Sequence, residues 1–188
     1  MNSRYPFNLF YLLNCLNAYL YSLFFLFLLA TKLYPLTMTV SGDSANWNKE
    51  KQVFVLKGNV VLKRGSITLK APIVRLKGEI ENPEKIIAAG GVIVSDKERN
   101  ATIKAETIEV FLKEKRGWAK QGVRIEYKNR VILGKQGVYD GLKNIAELTG
   151  SCTMTEVGRV FEAETMRYFT EEDKIEFEGS VKGKIEVK

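Results

Sequence analysis

A very small residue recurs in the middle of one extended segment after another, and this constrains the chain more than any other feature. The stretch 53–76, VFVLKGNVVLKRGSITLKAPIVRL, shows the unit: two strands of about a dozen residues joined at Arg64-Gly65. In the first, Phe54, Leu56, Val60 and Leu62 share one parity, and Lys57, Asn59 and Lys63 take the other. Alternation at a period of two marks a strand with one buried and one wet face. Gly58 lies near the middle of the first strand and Ala71 near the middle of the second. A glycine inside a strand gives up packing and marks a bend or bulge.

The unit repeats. An aromatic residue stands eleven positions before a glycine four times: Trp47/Gly58, Phe111/Gly122, Tyr139/Gly150 and Tyr168/Gly179. Gly58, Gly90, Gly122, Gly150 and Gly179 follow one another at spacings of 32, 32, 28 and 29 residues. Ala71, Ala105, Gly134 and Ala163 supply the small residue of the intervening strands. Gly122 is the irregular member, because Ala119, Val123, Ile125 and Tyr127 share the opposite parity; a one-residue bulge is expected there. If neighbouring strands pair antiparallel, the small residues line up across the sheet, and a sheet can fold sharply along such a line. The expectation is an all-β fold: a single antiparallel meander creased into an open trough or jelly roll, with the recurring aromatics closing the end of each unit.

Turn signals punctuate the chain at regular intervals: residues 48–51, 64–65, 78–85, 96–100, 113–117, 128–129, 140–144, 157–158 and 170–174. Between them lie nine or ten strands and no helical period, so residues 35–188 read as one domain. Residues 1–34 read as a targeting segment, with Arg4 before the apolar run 18–30. Extended back to Phe7, the run is long enough to span a bilayer, so both a cleaved signal peptide and a retained anchor fit. Either implies export.

The residue inventory argues against an enzyme. There is no His, the commonest general base and metal ligand. Of the two cysteines, Cys15 lies in the apolar segment, and Cys152 shares the parity of Leu148 and Met154, as a small core residue would. Among the carboxylates, Asp140 precedes Gly141 as turn chemistry, and Glu162 and Glu164 have outward parity. No glycine-rich phosphate loop opens a helix, and neither a metal nor a cofactor is implied. The net charge is +7, with 27 basic against 22 acidic side chains beyond residue 40. That is a solvated Lys/Glu surface or an attraction to a polyanion; export argues against nucleic acid.

The stretch GDSANWNKEKQVFVLKGNVVLKRGSITLKAPIVRL resembles the OstA-like repeat of the lipopolysaccharide-transport proteins of Gram-negative bacteria, and LGKQGVYDGLKNIAELTGSCTM is similar to the same repeat. The likeness extends over roughly residues 41–187 and implies an open β-jelly roll. It implies a carrier of lipopolysaccharide in the periplasm, of the LptA-like bridge type or the LptC-like membrane-anchored type. A purely structural envelope protein without ligand is the alternative from another class. The inward residues Phe54, Leu56, Val60, Leu62, Ile67, Leu69, Ile103, Ile108, Leu148, Met154, Phe161, Met166 and Phe177 would hold the acyl chains of lipid A. Lys57, Lys63, Arg64 and Lys70 would meet its phosphates at the rim. The sheet edges, near residues 38–47 and 174–187, would pair with other β-jelly-roll transport proteins or head to tail with a second copy. Lys182, Gly183 and Lys184 would restrain that growth.

Overall fold

The computed structural model describes residues 37–186; the apolar segment 1–34 lies outside them. The elements are β1 (Met38–Ser41), β2 (Ser44–Asn48), β3 (Val53–Arg64), β4 (Ile67–Gly78), β5 (Pro83–Asp96), β6 (Ala101–Phe111), β7 (Arg116–Tyr127), β8 (Arg130–Asp140), β9 (Ile145–Glu156), β10 (Arg159–Phe169), β11 (Lys174–Glu178) and β12 (Lys182–Ile185). They form one sheet in which β3 to β11 pair in sequence order, each with the next and antiparallel. Both edges are broken strands. β1 and β2 pair with the two halves of β3, and β12 and β11 with the two halves of β10. The turns fall where the Gly, Asn, Asp and Lys clusters of the sequence put them.

Every long strand bends near its middle, by one of two devices in strict alternation. In β3, the buried positions step from Leu56 to Val60, and the skipped pair Gly58-Asn59 has φ of 74° and 46°. β5 does the same at Gly90-Gly91, β7 at Gln121-Gly122 and β9 at Gly150-Ser151, all in the left-handed region. In the intervening strands the inner positions step by three: Ala71 to Val74, Ala105 to Ile108, Gly134 to Gly137 and Ala163 to Met166. A two-residue bulge facing a single residue bends the bulged strand and increases its local twist. Repeated across the sheet, it creases the sheet into two leaves. One leaf holds the first halves of β3, β5, β7 and β9 with the second halves of β4, β6, β8 and β10, and the other holds the remaining halves.

The alternation also explains Gly122. It occupies the second left-handed position of the pair, with Gln121 (φ 64°) in the first, so β7 needs no extra bulge beyond that of β3, β5 and β9. The glycines do not sit directly opposite the alanines, either. Ala71 pairs with Val60 and Ala105 with Val92, the residues that follow each bulge.

Candidate functional site: the interior of the folded sheet

The two leaves pack their inner faces against each other. Val74, Leu76 and Ala88 are fully buried, and the apolar cluster runs from Leu56 in β3 to Met166 in β10. Folding is evident from pairs that a flat sheet would hold a strand apart. Arg130 begins β8 beside the β7–β8 turn, and Asp173 lies in the β10–β11 turn at the opposite end of the strands. β9 between them has 12 residues, which spans about 35 Å at ~3.3 Å per residue. Yet Arg130 Nη1 lies 3.5 Å from Asp173 Oδ1. The Tyr168 hydroxyl donates to the same oxygen at 2.9 Å, and Arg130 Nε donates to Glu156 Oε1 at 3.1 Å. At the other end of the groove, a cavity of about 30 Å³ is lined by Met38, Leu62, Ile67 and Leu69 from one leaf and Pro83, Ile86 and Leu112 from the other.

All thirteen residues expected to face inward do so. Leu56, Val60, Leu62, Leu69, Ile103, Ile108, Leu148, Met154 and Met166 are buried. Phe54, Phe161 and Phe177 pack on them, half-buried, and Ile67 lines the end cavity. Phe161 and Phe177 stack with centroids 5.1 Å apart. The basic residues divide. Lys57 and Lys70 are exposed on the outer face beside the crease, opposite Ile73 and Ile93, and so do not stand at a rim of the interior. Lys63 has outward parity one residue from the leaf end and Arg64 shares the inner parity of Leu62; both border the cavity. The Arg64 Nε is buried with no protein hydrogen-bond partner.

The aromatic positions also divide. Tyr139 is buried on the inner face, where desolvation pushes its hydroxyl pKa up to about 12. Trp47 has inner parity opposite Phe54 but is 53% exposed at the edge. Phe111 points outward, contrary to expectation, because the three-residue step of β6 hands the inner face to Ile108, Val110 and Leu112. It meets Trp118 edge to face at 4.8 Å, with the Lys85 ammonium 4.2 Å from its ring centre.

Sequence patterns missed part of the interior: Val74, Leu76, Ile86, Ala88, Val92 and Val110 are as buried as any residue named above. The signal that finds them is the alternating three- and four-residue step, which is read only by comparing strands. Cys152 is buried, and its thiol pKa is raised by desolvation, as suits a core residue. Asp140 accepts from the Leu142 and Lys143 amides, a turn role. Among the described residues no group of His, Cys, Asp and Glu could hold a metal ion.

The outer face is laced by ion pairs. Glu109 accepts from Lys120 and Lys85, both at 2.9 Å, and those hydrogen bonds hold its carboxyl below the usual glutamate value of 4.5. A group with a depressed folded pKa gives stability above its unfolded pKa, lost as pH falls through the folded one. The urea midpoint is therefore expected to be flat above about pH 5 and to decline below it. Glu109→Gln should make that decline shallower. An unchanged acid limb, followed by tryptophan fluorescence, would show that the pairing contributes nothing.

This architecture, a single meander folded along a crease over an apolar interior with two open edges, defines a β-jelly roll of the OstA type. Residues 39–174 match the family described as LptA/(LptD N-terminal domain) LPS transport protein, and the chain belongs to that family. No curated protein matches the sequence. Among solved structures, the chain is similar to LptH, the LptA homologous periplasmic component of the lipopolysaccharide transport device from Pseudomonas aeruginosa. The identity is 18%, over 81% of this chain and 96% of that one, with a TM-score of 0.36.

Proposed function

We propose that this protein carries lipopolysaccharide across the periplasm, with the acyl chains of lipid A held between the two leaves. The observation that carries this reading is the continuity of the apolar interior from one sheet edge to the other. At one edge Val40 and Trp47 continue the inner face, and at the other Val181 and Ile185 do; all four are exposed. An interior that needed only to be a dry core would end in polar or capped edges. An interior that continues into a neighbour makes a path. Each methylene buried along it contributes about 0.8 kcal/mol, so several acyl chains bind firmly with little polar specificity. The lipid phosphates would lie at the leaf ends, within reach of Arg64 and Lys63, rather than near Lys57 or Lys70. The broken edge strands would pair with other β-jelly-roll components of the transport line or with a second copy.

The test is photo-crosslinking with purified lipopolysaccharide. A photoreactive residue replaces Leu62 or Phe161 on the inner face, and Lys57, exposed on the outer face beside the crease, serves as the control. Adducts at the inner positions alone are expected. A folded protein that gives none at either face would leave a structural envelope role instead. Fractionation then separates a free periplasmic carrier from an anchored LptC-like one, which the interior does not distinguish.

A further inference from the structure

We infer that Arg130, Asp173 and Tyr168 form a latch across the groove that must release before the leaves part. The three residues come from different leaves and meet on the side away from the crease, where opening would begin. Arg130 is held on its own leaf by Glu156 at 3.1 Å and reaches Asp173 on the other at 3.5 Å. Tyr168, an inner-face residue of the second leaf, donates to Asp173 Oδ1 at 2.9 Å and fixes its carboxylate toward Arg130. Asp173 sits at φ 48° in the β10–β11 turn, so the turn itself presents the carboxylate. The Arg130 and Asp173 side chains are 24% and 33% exposed, shielded enough for the pair to matter and wet enough to break. Burial is the largest single influence and weighs against the charge on Arg130. Its hydrogen bond to Glu156 and the nearby Glu156 and Asp173 carboxylates together outweigh it, raising the guanidinium pKa. Most of the closure is the packing of the apolar cluster, which has no preferred register; an ion pair with a hydrogen-bonded carboxylate does. The latch concerns entry to the interior, so its role in transport rests on the lipid-carrier reading, although its existence does not.

Cys152 makes the latch measurable. It lies on the inner face, 1% exposed, so its thiol reacts only when the leaves separate. In the full chain with Cys15→Ser, the rate of reaction with a soluble disulfide reagent reports the opening equilibrium. Asp173→Asn is expected to raise that rate roughly five- to tenfold, and Tyr168→Phe by less. Arg167→Gln, which removes outer-face pairs to Glu147 and Glu178, should leave it unchanged. About 0.5 M NaCl should raise the wild-type rate but not that of Asp173→Asn. Equal rates for wild type and Asp173→Asn, or an equal rise in Arg167→Gln, would overturn the latch. Added lipopolysaccharide should protect Cys152, and reach that protection sooner in Asp173→Asn. Faster labelling in Asp173→Asn with no protection in any chain would uphold the latch and sink the lipid reading. Protection at the same speed in both would uphold the lipid reading and overturn the latch as a gate.

Discussion

Gly150→Val is expected to remove about 2–4 kcal/mol of folding stability, from the sum of backbone strain and crowding. Gly150 opens the bulge of β9 at φ 89°, a conformation in which a β-branched residue is a true outlier. A Cβ there would also lie 2.7 Å from the Lys135 Cβ, with Cγ and Cδ at 2.9 Å. The Lys135 Cβ is fixed to the backbone of β8, so the strain passes into the sheet rather than into a mobile side-chain end. A domain of this size is stable by only about 5–15 kcal/mol, so a large share would be lost. Gly91→Asn makes the comparison. Its φ is 87°, but nothing lies within 4 Å of the position a Cβ would take. Asn tolerates the left-handed region, as Asn59 already does at the matching site of β3, so the expected cost is under about 1 kcal/mol. Urea midpoints of the two variants check the argument. If Gly150→Val melted with Gly91→Asn, the crease would be a looser feature than the packing around it implies.

The crease was legible in the sequence because it is written in residue types. Gly holds at least one position of every bulge pair, with Asn59, Ser151 or Gln121 beside it in three of the four, because few other residues accept those backbone angles, so the bulges leave a mark. The turns were legible for the same reason. Part of the interior was not, because the small residue of each intervening strand marks where the bend lies but not that the parity switches after it. After Ala71 a reader continuing at a period of two places Ile73 and Arg75 inside, where the structure has Val74 and Leu76. β5 hid its inner face differently: in Ile86-Ile87-Ala88-Ala89 both parities are apolar. Phe111 was misplaced by the same kind of step, whereas Lys57 has the outward parity expected of it and differs only in lying beside the bend rather than at a leaf end. Arg130 and Asp173 could not be paired from sequence at all. Their contact depends on the angle at which the leaves meet, a sum over every bulge in the sheet.

Removing residues 174–188 should abolish head-to-tail association while leaving β3 to β10 folded, and the two kinds of bend say how the copies would join. Wide steps, over a left-handed pair, belong to β3, β5, β7 and β9; narrow ones belong to β4, β6, β8 and β10. The edge made by β1 and β2 is of the narrow kind, stepping from Gly42 to Ala45 on the inner face. The edge made by β11 and β12 is wide, with Gly179 and Ser180 at φ of 76° and 46°. The last edge of one copy beside the first edge of the next therefore continues the alternation, and no other order of the edges does. Transferring the β3–β4 register to that junction sets Ile175 against Trp47, Gly183 against Val40 and Ile185 against Met38. The exposed apolar residues of both edges would be covered by each other, and the contact, being heterologous, can repeat. On the outer face the same register opposes Glu176 to Asn46. Opposed residues of antiparallel strands have Cα atoms about 4.5–5.5 Å apart, within disulfide range. Asn46→Cys with Glu176→Cys should thus give covalent ladders under oxidation, and Asn46→Cys with Lys184→Cys should not. Light scattering that still rose with concentration after the truncation would place the self-contact elsewhere. Ladders from the mismatched pair alone would refute the register.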